Sequence, residues 1–306
     1  MAVPHVSTNF GDLLDPTFQR IFDEEFDQLP DMLPTMFTMP EHGPRGDLTK
    51  WSQVGTLPDF TEFTGTVGYQ SQHQGYDTTA THLEWANGIQ VARKLFDDDQ
   101  HQIMNQKPAA LAMSAVRTRQ KHGAQIWNGA FSSGNSFYVN SEGVAMCSNS
   151  HTTTSGASTS TGFDNLGTAA LTAAAVSAAR TQMRGFRGDQ AERISVMPDQ
   201  LLVPPDLQDR ALEITKSEKD PASANNAINP QSGRFSLIDW EYLNDVNNWF
   251  MFDSGLKRKS VFWIDRIQKE FGRIEDFDTL IAKFRCYMRY SFAWVDWRHV
   301  FGAEVS

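Results

Sequence analysis

Thirteen residues near the end of the chain alternate without a break. Leu280, Ala282, Phe284, Cys286, Met288, Tyr290 and Phe292 fill every second position, and Ile281, Lys283, Arg285, Tyr287, Arg289 and Ser291 lie between them. A period of two places the first set on one face of a strand and the second on the other. Thirteen extended residues reach roughly 40 Å, where a usual strand holds about five or six residues. So long a rod suits an elongated protein that tiles a surface better than a compact enzyme domain.

The chain of 306 residues is 40% hydrophobic, and its 21 Phe and 8 Trp supply large side chains for a core. Global disorder is therefore excluded. The formal charge of −10 lacks the basic footprint of a nucleic-acid binder. Residues 1–45 carry −6 of it, from eight acidic residues and two Arg. Two cysteines, Cys147 and Cys286, cannot make a disulfide framework and point to a reducing compartment. No basic-then-apolar signal pattern opens the sequence, and no run approaches the ~18 apolar residues of a membrane span. The expectation is a soluble, unexported protein.

In order along the chain, Asp15-Pro16 reads as the start of an acidic helix with Phe18, Ile21, Phe22 and Phe26 at helical spacing. Pro30, Pro34, Pro40 and Pro44 then break it, so residues 1–45 read as an arm. Glycines and Pro58 punctuate three strand-like pieces, Leu48–Val54, Phe60–Tyr69 and Tyr76–Trp85, which together read as a projecting hairpin. A helix is predicted from about Asp99 to Asn128, led by Asp97-Asp98-Asp99 and interrupted at Pro108. Residues 132–163 have loop composition with no core-forming content. A second helix is expected after an Asn165 cap, with Leu171, Ala174, Ala175 and Ala178 on one face. Short strands are predicted at Ile194–Met197, Leu201–Val203, Arg234–Trp240, Trp249–Phe252 and Val261–Ile264. A helix starts at Pro204-Pro205-Asp206, with Leu207, Ala211 and Ile214 on one face. The Trp294, Trp297, Phe301 cluster turns the chain back after the long strand, which makes that strand a bridge between two domains.

Chemistry-bearing motifs are absent. There is no P-loop, GxGxxG, HExxH or GxSxG string, and the eight His are scattered. Asp97–Asp99 reads as helix-start charge rather than a Mg²⁺ site, and the two Arg-Gly-Asp strings read as turns. Nothing visible activates Lys50 or Lys94 as a nucleophile. The expectation is a protein that is not an enzyme, with no catalytic residue, cofactor or metal.

The order of these parts resembles the tailed-phage major capsid protein of the Hong Kong 97-type fold, and most closely the Mu-type major head subunit family. Four stretches carry the resemblance: Gly88–Asp99 (GIQVARKLFDDD), Ala191–Leu212 (AERISVMPDQLLVPPDLQDRAL), the pair Asn247–Phe252 and Val261–Arg266, and Arg273–Gly302. It implies an α+β fold with residues 1–45 as an N-arm and 46–87 as an E-loop. Residues 88–129, with the spine helix, and 271–293 would form a peripheral domain. Residues 130–270 and 294–306 would form an axial α/β domain.

The implied function is a shell subunit that self-assembles through hexamers and pentamers into an icosahedral virion capsid in the host cytoplasm. That shell encloses double-stranded DNA without sequence-specific binding and involves no membrane. A separate scaffold protein and a portal are expected partners, with a decoration protein as an optional addition. Some family members crosslink a lysine to an asparagine, and Lys50 is the lysine in the E-loop. Phe18, Phe22 and Phe26 are the expected arm contacts with a neighbour, and Trp51, Phe60, Phe63 and Tyr69 the expected E-loop contacts. The other reading is that these rings pack on their own subunit. Two alternatives to a phage shell are an encapsulin-like compartment and an unrelated compact α/β binding module.

Overall fold

The computed structural model describes residues 11–40, 46–92, 94, 106–219, 227–276 and 281–306. The Asp97–Asp99 cluster and Leu280 lie outside them. The elements in chain order are α1 (Gly11–Gln28), α2 (Leu33–Met36), β1 (Leu48–Val54), β2 (Gln74–Thr81), β3 (Leu83–Ala92), α3 (Gln106–Asn128), β4 (Tyr138–Asn140) and β5 (Leu166–Gly167). They continue with α4 (Ala173–Met183), β6 (Gln200–Val203), α5 (Gln208–Lys216), β7 (Ser236–Asp239), β8 (Trp249–Phe252), α6 (Ser254–Ser260), β9 (Val261–Asp276), β10 (Ile281–Trp294) and β11 (Val300–Ala303). The chain divides into two units, one of residues 1–33, 82–123 and 265–290, the other of 34–81, 124–264 and 291–306.

The first unit is built on the sheet β3-β10-β9. The alternating strand holds as read: Phe284, Cys286, Met288 and Tyr290 are buried in this unit. β10 runs antiparallel to β3, with Phe284 opposite Ile89 and Met288 opposite Trp85. The intervening positions carry charge on the other face. Arg285 lies 3.6 Å from Glu270, Arg289 3.8 Å from Glu84 and Lys283 3.7 Å from Asp276, the cross-strand pairing of a wet surface.

The described helices α1 and α3 sit on the buried phase. Phe18 of α1 meets Phe284 edge-on at 5.3 Å, and Phe22 lies 5.1 Å from Phe271. Arg119 of α3, nearly fully buried, donates to both oxygens of Asp265 at 2.6 and 2.9 Å and lies over the Tyr290 ring. A fork-on-carboxylate pair of this kind fixes orientation as well as charge. Gln120 donates to Asp31, tying α3 to the end of the arm helix. Two expectations shift here. α1 includes Gly11, ahead of Asp15-Pro16. The described part of the spine helix runs from Gln106 to Asn128 with Pro108 inside it, and the predicted stretch from Asp99 to Asn105 lies outside the described residues. β9 runs to Asp276 rather than stopping at Ile264.

The second unit centres on the five-stranded sheet β5-β11-β8-β6-β7. β6 and β7 are parallel, while β8 is antiparallel to both β6 and β11. Every residue of β8 and β11 is buried, which is why WFMF and VFGA are continuous apolar runs rather than alternating ones. Trp127, in the last turn of α3, sits edge-on to Phe252 at 4.8 Å.

Residues 132–163 correct the sequence reading. They are irregular apart from β4, yet Phe137, Met146, Cys147 and Phe163 are all buried. A Cβ at Gly302 would stand 2.6 Å from the Cys147 sulfur and 2.9 Å from Phe131, so glycine in β11 is what lets this segment lie against the sheet. Asn165 is not a helix cap. Its amide donates to the Met146 and Val300 carbonyls at 2.8 and 3.1 Å, and its oxygen accepts from the Ser148 amide, so it is a fully buried clamp. Thr172 caps α4 instead, accepting from the Ala175 amide.

Two predicted strands are also absent. Ile194–Met197 pairs with no strand, and its Met197 amide goes to the Asp253 carboxylate. Phe60–Tyr69 is irregular, with Gly65 at φ +103°. The predicted Tyr76–Trp85 piece is split at His82, where the chain leaves the sheet β1-β2-β4 for the sheet β3-β10-β9.

Candidate functional site

The surface that stands out is the segment between β1 and β2. Its base is closed by the Gly55 amide on the His73 carbonyl at 2.9 Å and by Gln72 on the Gly55 carbonyl at 2.5 Å. Thr56 accepts from the Asp189 amide at 3.0 Å. Asp189 is held in turn by Arg298, at 2.9 Å from its carboxylate, while Thr153 and Ser155 donate to its carbonyl. Arg298 is buried and also reaches the Arg187 carbonyl and Asp296. Burial opposes its charge, but Asp296 and Asp189 more than offset this and raise its pKa.

Beyond that base the chain carries apolar side chains into solvent. Phe60 is 107% exposed, Tyr69 93% and Phe63 70%, and Leu57 and Val67 are more than half exposed. None of the three rings has an aromatic partner among the described residues. Scattered exposed apolar residues are ordinary; five within thirteen residues are a patch that needs a cover.

The other expected contact residues lie differently. Trp51 stacks on Phe262 at 5.4 Å and 10° within its own unit. Phe18, Phe22 and Phe26 are buried within their own unit. The physical reason is that β10 and β9 offer Phe284 and Phe271 directly beneath α1. Lys50 lies 2.8 Å from Asp77, whose carboxyl that contact lowers to about 2.

Sequence reading also missed a buried polar constellation. His151 meets Glu142 through Nδ1 and the Asn165 oxygen through Nε2, each at 3.2 Å, and stacks on Trp297. An acid, an imidazole and an amide in line can do proton chemistry when a substrate reaches them. Here the His151 and Glu142 side chains are 0% and 2% exposed, so the group works as a clamp on the loop. No motif in the sequence marks it, because its members gather only through tertiary folding. Among the described residues, no group of three His, Cys, Asp or Glu side chains is placed to hold a metal ion.

A phage capsid protein family model matches residues 75–303. The chain belongs to the phage capsid protein family. The fold agrees. The capsid of bacteriophage JBD30 matches with a TM-score of 0.53 and 14% identity, over 71% of this chain and 92% of that one. The capsid of a native GTA particle matches with a TM-score of 0.57 and 11% identity, over 91% of each chain. A virus-like particle from Pyrococcus furiosus matches with a TM-score of 0.52 and 8% identity, over 94% and 98%. No curated protein is similar enough in sequence to count as a relative. The fold is thus the α+β Hong Kong 97-type, and this major capsid protein is a structural component of a tailed-phage virion.

One buried group should make the capsid protein acid-sensitive. His299 is fully buried beside Trp127 and Phe252, with Nδ1 2.5 Å from the Asp296 carbonyl and Nε2 without a hydrogen-bond partner among the described residues. Burial lowers its pKa from 6.5 to about 4. The unfolded chain takes up that proton near pH 6.5, so stability linked to His299 is complete above pH 6.5 and drains as pH falls toward 4. The gap corresponds to roughly 3 kcal/mol. His122 in the other unit is lowered to about 4 by burial as well, so both units lose stability in the same direction. Unfolding of dissociated subunits should therefore become easier between pH 7 and 4. A His299→Phe variant should lose less than wild type over that interval by roughly 3 kcal/mol. Parallel pH profiles for the two would remove His299 as the cause.

Proposed function

We propose that this capsid protein self-assembles through hexamers and pentamers into an icosahedral shell around double-stranded DNA. The exposed segment 55–73 crosses to a neighbouring copy in that shell. The observation that carries the reading is the apolar patch of Phe60, Phe63 and Tyr69, anchored at its base and uncovered beyond it. Burying each such ring is worth about 1.5–3 kcal/mol, and repeated contacts around a shell add multivalently. Residues 46–87 then serve as the E-loop. The arm is 1–45, the peripheral domain 88–129 with 271–293, and the axial domain 130–270 with 294–306. Assembly takes place in the host cytoplasm with a scaffold protein and a portal. The JBD30 capsid is recorded decorated with minor capsid protein trimers, and a decoration partner is proposed here by that likeness. A compartment shell shares this fold; the phage capsid family match favours the virion.

The test is negative-stain microscopy of purified protein, with and without a scaffold. Wild type should give rings or closed particles. A Phe60→Ser, Phe63→Ser, Tyr69→Ser variant should keep its melting temperature, since exposed positions contribute within about 0.5 kcal/mol each, and should fail to form particles. Normal particles from that variant would count against the segment as an intersubunit contact.

A further inference from the structure

The parallel pair β6 and β7 separates charge along its own direction. At the amino ends, Arg180, Arg184 and Arg193 line a cavity of about 610 Å³ with Ile194–Met197, the segment that leads into β6. No carboxylate lines it. Arg234, two residues ahead of β7, adds to the positive field on Arg180, as does Arg184. Among the described residues none of these four guanidinium groups has an ion-pair partner. Two carboxylates near the segment that lines it are hydrogen-bonded elsewhere: Asp199 accepts from Ser254, and Asp253 accepts from the Met197, Gly255 and Leu256 amides.

The opposite signs gather past the carboxyl ends of the same two strands. Asp206 and Asp209 flank Gln208, which donates to Asp239 at 3.3 Å, and all three carboxylates are exposed and without a cation partner among the described residues. Arg210, next to Asp209 in sequence, is paired with Glu213. Four residues of strand set the two clusters roughly 13 Å apart or more. Four cations without an ion-pair partner at one end and three such anions at the other repel within each cluster. They gain by meeting their opposites on another molecule.

We propose that the arginine cavity of one capsid protein receives the Asp206–Asp209–Asp239 edge of the next copy, a head-to-tail contact of the kind that closes rings. The guanidinium fork suits a carboxylate partner. A phosphate-bearing partner is the alternative occupant, and the test separates them. The inference rests on the self-assembly proposed above and adds which surfaces meet.

The experiment follows full-length protein by light scattering and negative-stain microscopy between 0.05 and 1 M NaCl, over which the screening length falls from above ~10 Å to about 3 Å. Wild-type rings should weaken at least tenfold across that range. Arg184→Glu/Arg193→Glu and Asp206→Arg/Asp239→Arg should each abolish rings while keeping the wild-type melting temperature. The two pairs combined in one chain should restore them, because complementarity returns with reversed sign. Rings from either half-variant at wild-type yield would overturn the contact. So would failure of the combined variant when each half-variant is folded. Loss of rings with Arg184→Glu/Arg193→Glu but not with Asp206→Arg/Asp239→Arg, together with binding of inorganic pyrophosphate to wild type, would assign the cavity to a phosphate ligand instead. A wild type that forms no assembly in any condition defeats the self-assembly reading itself, and this contact with it.

Discussion

Replacing Arg298 with methionine should cost the subunit about 3–5 kcal/mol, the loss typical when one member of a buried ion pair is removed. Methionine keeps most of the apolar stem but loses the guanidinium that lies over the Trp297 and Phe163 rings. What goes is the cation, and the Asp189 carboxylate, 14% exposed, stays behind without its countercharge. The Arg187 carbonyl, held by Arg298 at 2.6 Å, loses a donor too. Lysine should rescue little, because one ammonium cannot replace a fork that serves Asp189, Asp296 and a carbonyl at once. Arg298→Met with Asp189→Asn should recover part of the loss, since the stranded charge goes with its partner. The effect should also reach the exposed segment, because Thr56 hangs on the Asp189 amide. Protease cleavage between residues 55 and 73 should quicken in Arg298→Met. A denaturation loss under about 1 kcal/mol would mean the pair is replaced by water and the hub is not structural.

The long strand was legible because its apolar residues alternate from Ala282 to Phe292; burial follows that period as far as Tyr290, beyond which Ser291 and Ala293 are buried too. Its partner β9 was not. From Asp265 onward the polar positions hold Asp, Arg, Lys and Glu on both phases, since the strand meets charged partners on its wet face and Arg119 on the other. The apolar period vanishes while the pairing persists. The segment 132–163 failed for the opposite reason. Its composition is that of a loop, but Phe137, Tyr138, Met146, Cys147 and Phe163, at irregular spacing, reach the core, and spacing is the only thing a periodicity reading can see. For the candidate site, glycines and Pro58 rightly marked a projecting segment with aromatic residues. They could not say that Trp51 would find Phe262 while Phe60, Phe63 and Tyr69 stay exposed. The Arg298 hub joins residues more than a hundred positions apart, and no local pattern encodes it.

The arm is where two readings of the same residues can be separated by one substitution. Phe22 has no exposed surface and packs on Phe26 at 6.0 Å and Phe271 at 5.1 Å. Phe18, beside it on α1, joins Val91 and Phe284 in the core cluster of the same unit. Lys269 spans to Asp23 and Asp27 on the outer side of the helix at 3.2 and 2.7 Å and lies over the Phe26 ring. Those ion pairs are exposed and worth little alone, so the helix stays on its sheet through its rings. Phe22→Ala should therefore remove about 3–5 kcal/mol, as buried phenylalanine truncations do. The loss should show as faster amide exchange in β10 between residues 281 and 290, in subunits that have not assembled. Gln19→Ala, on the exposed face, should change exchange by less than about 0.5 kcal/mol. If α1 instead docks on a neighbour, Phe22→Ala would leave exchange in the free subunit at its wild-type rate and abolish particles, which is the outcome that would return the arm rings to the intersubunit contact.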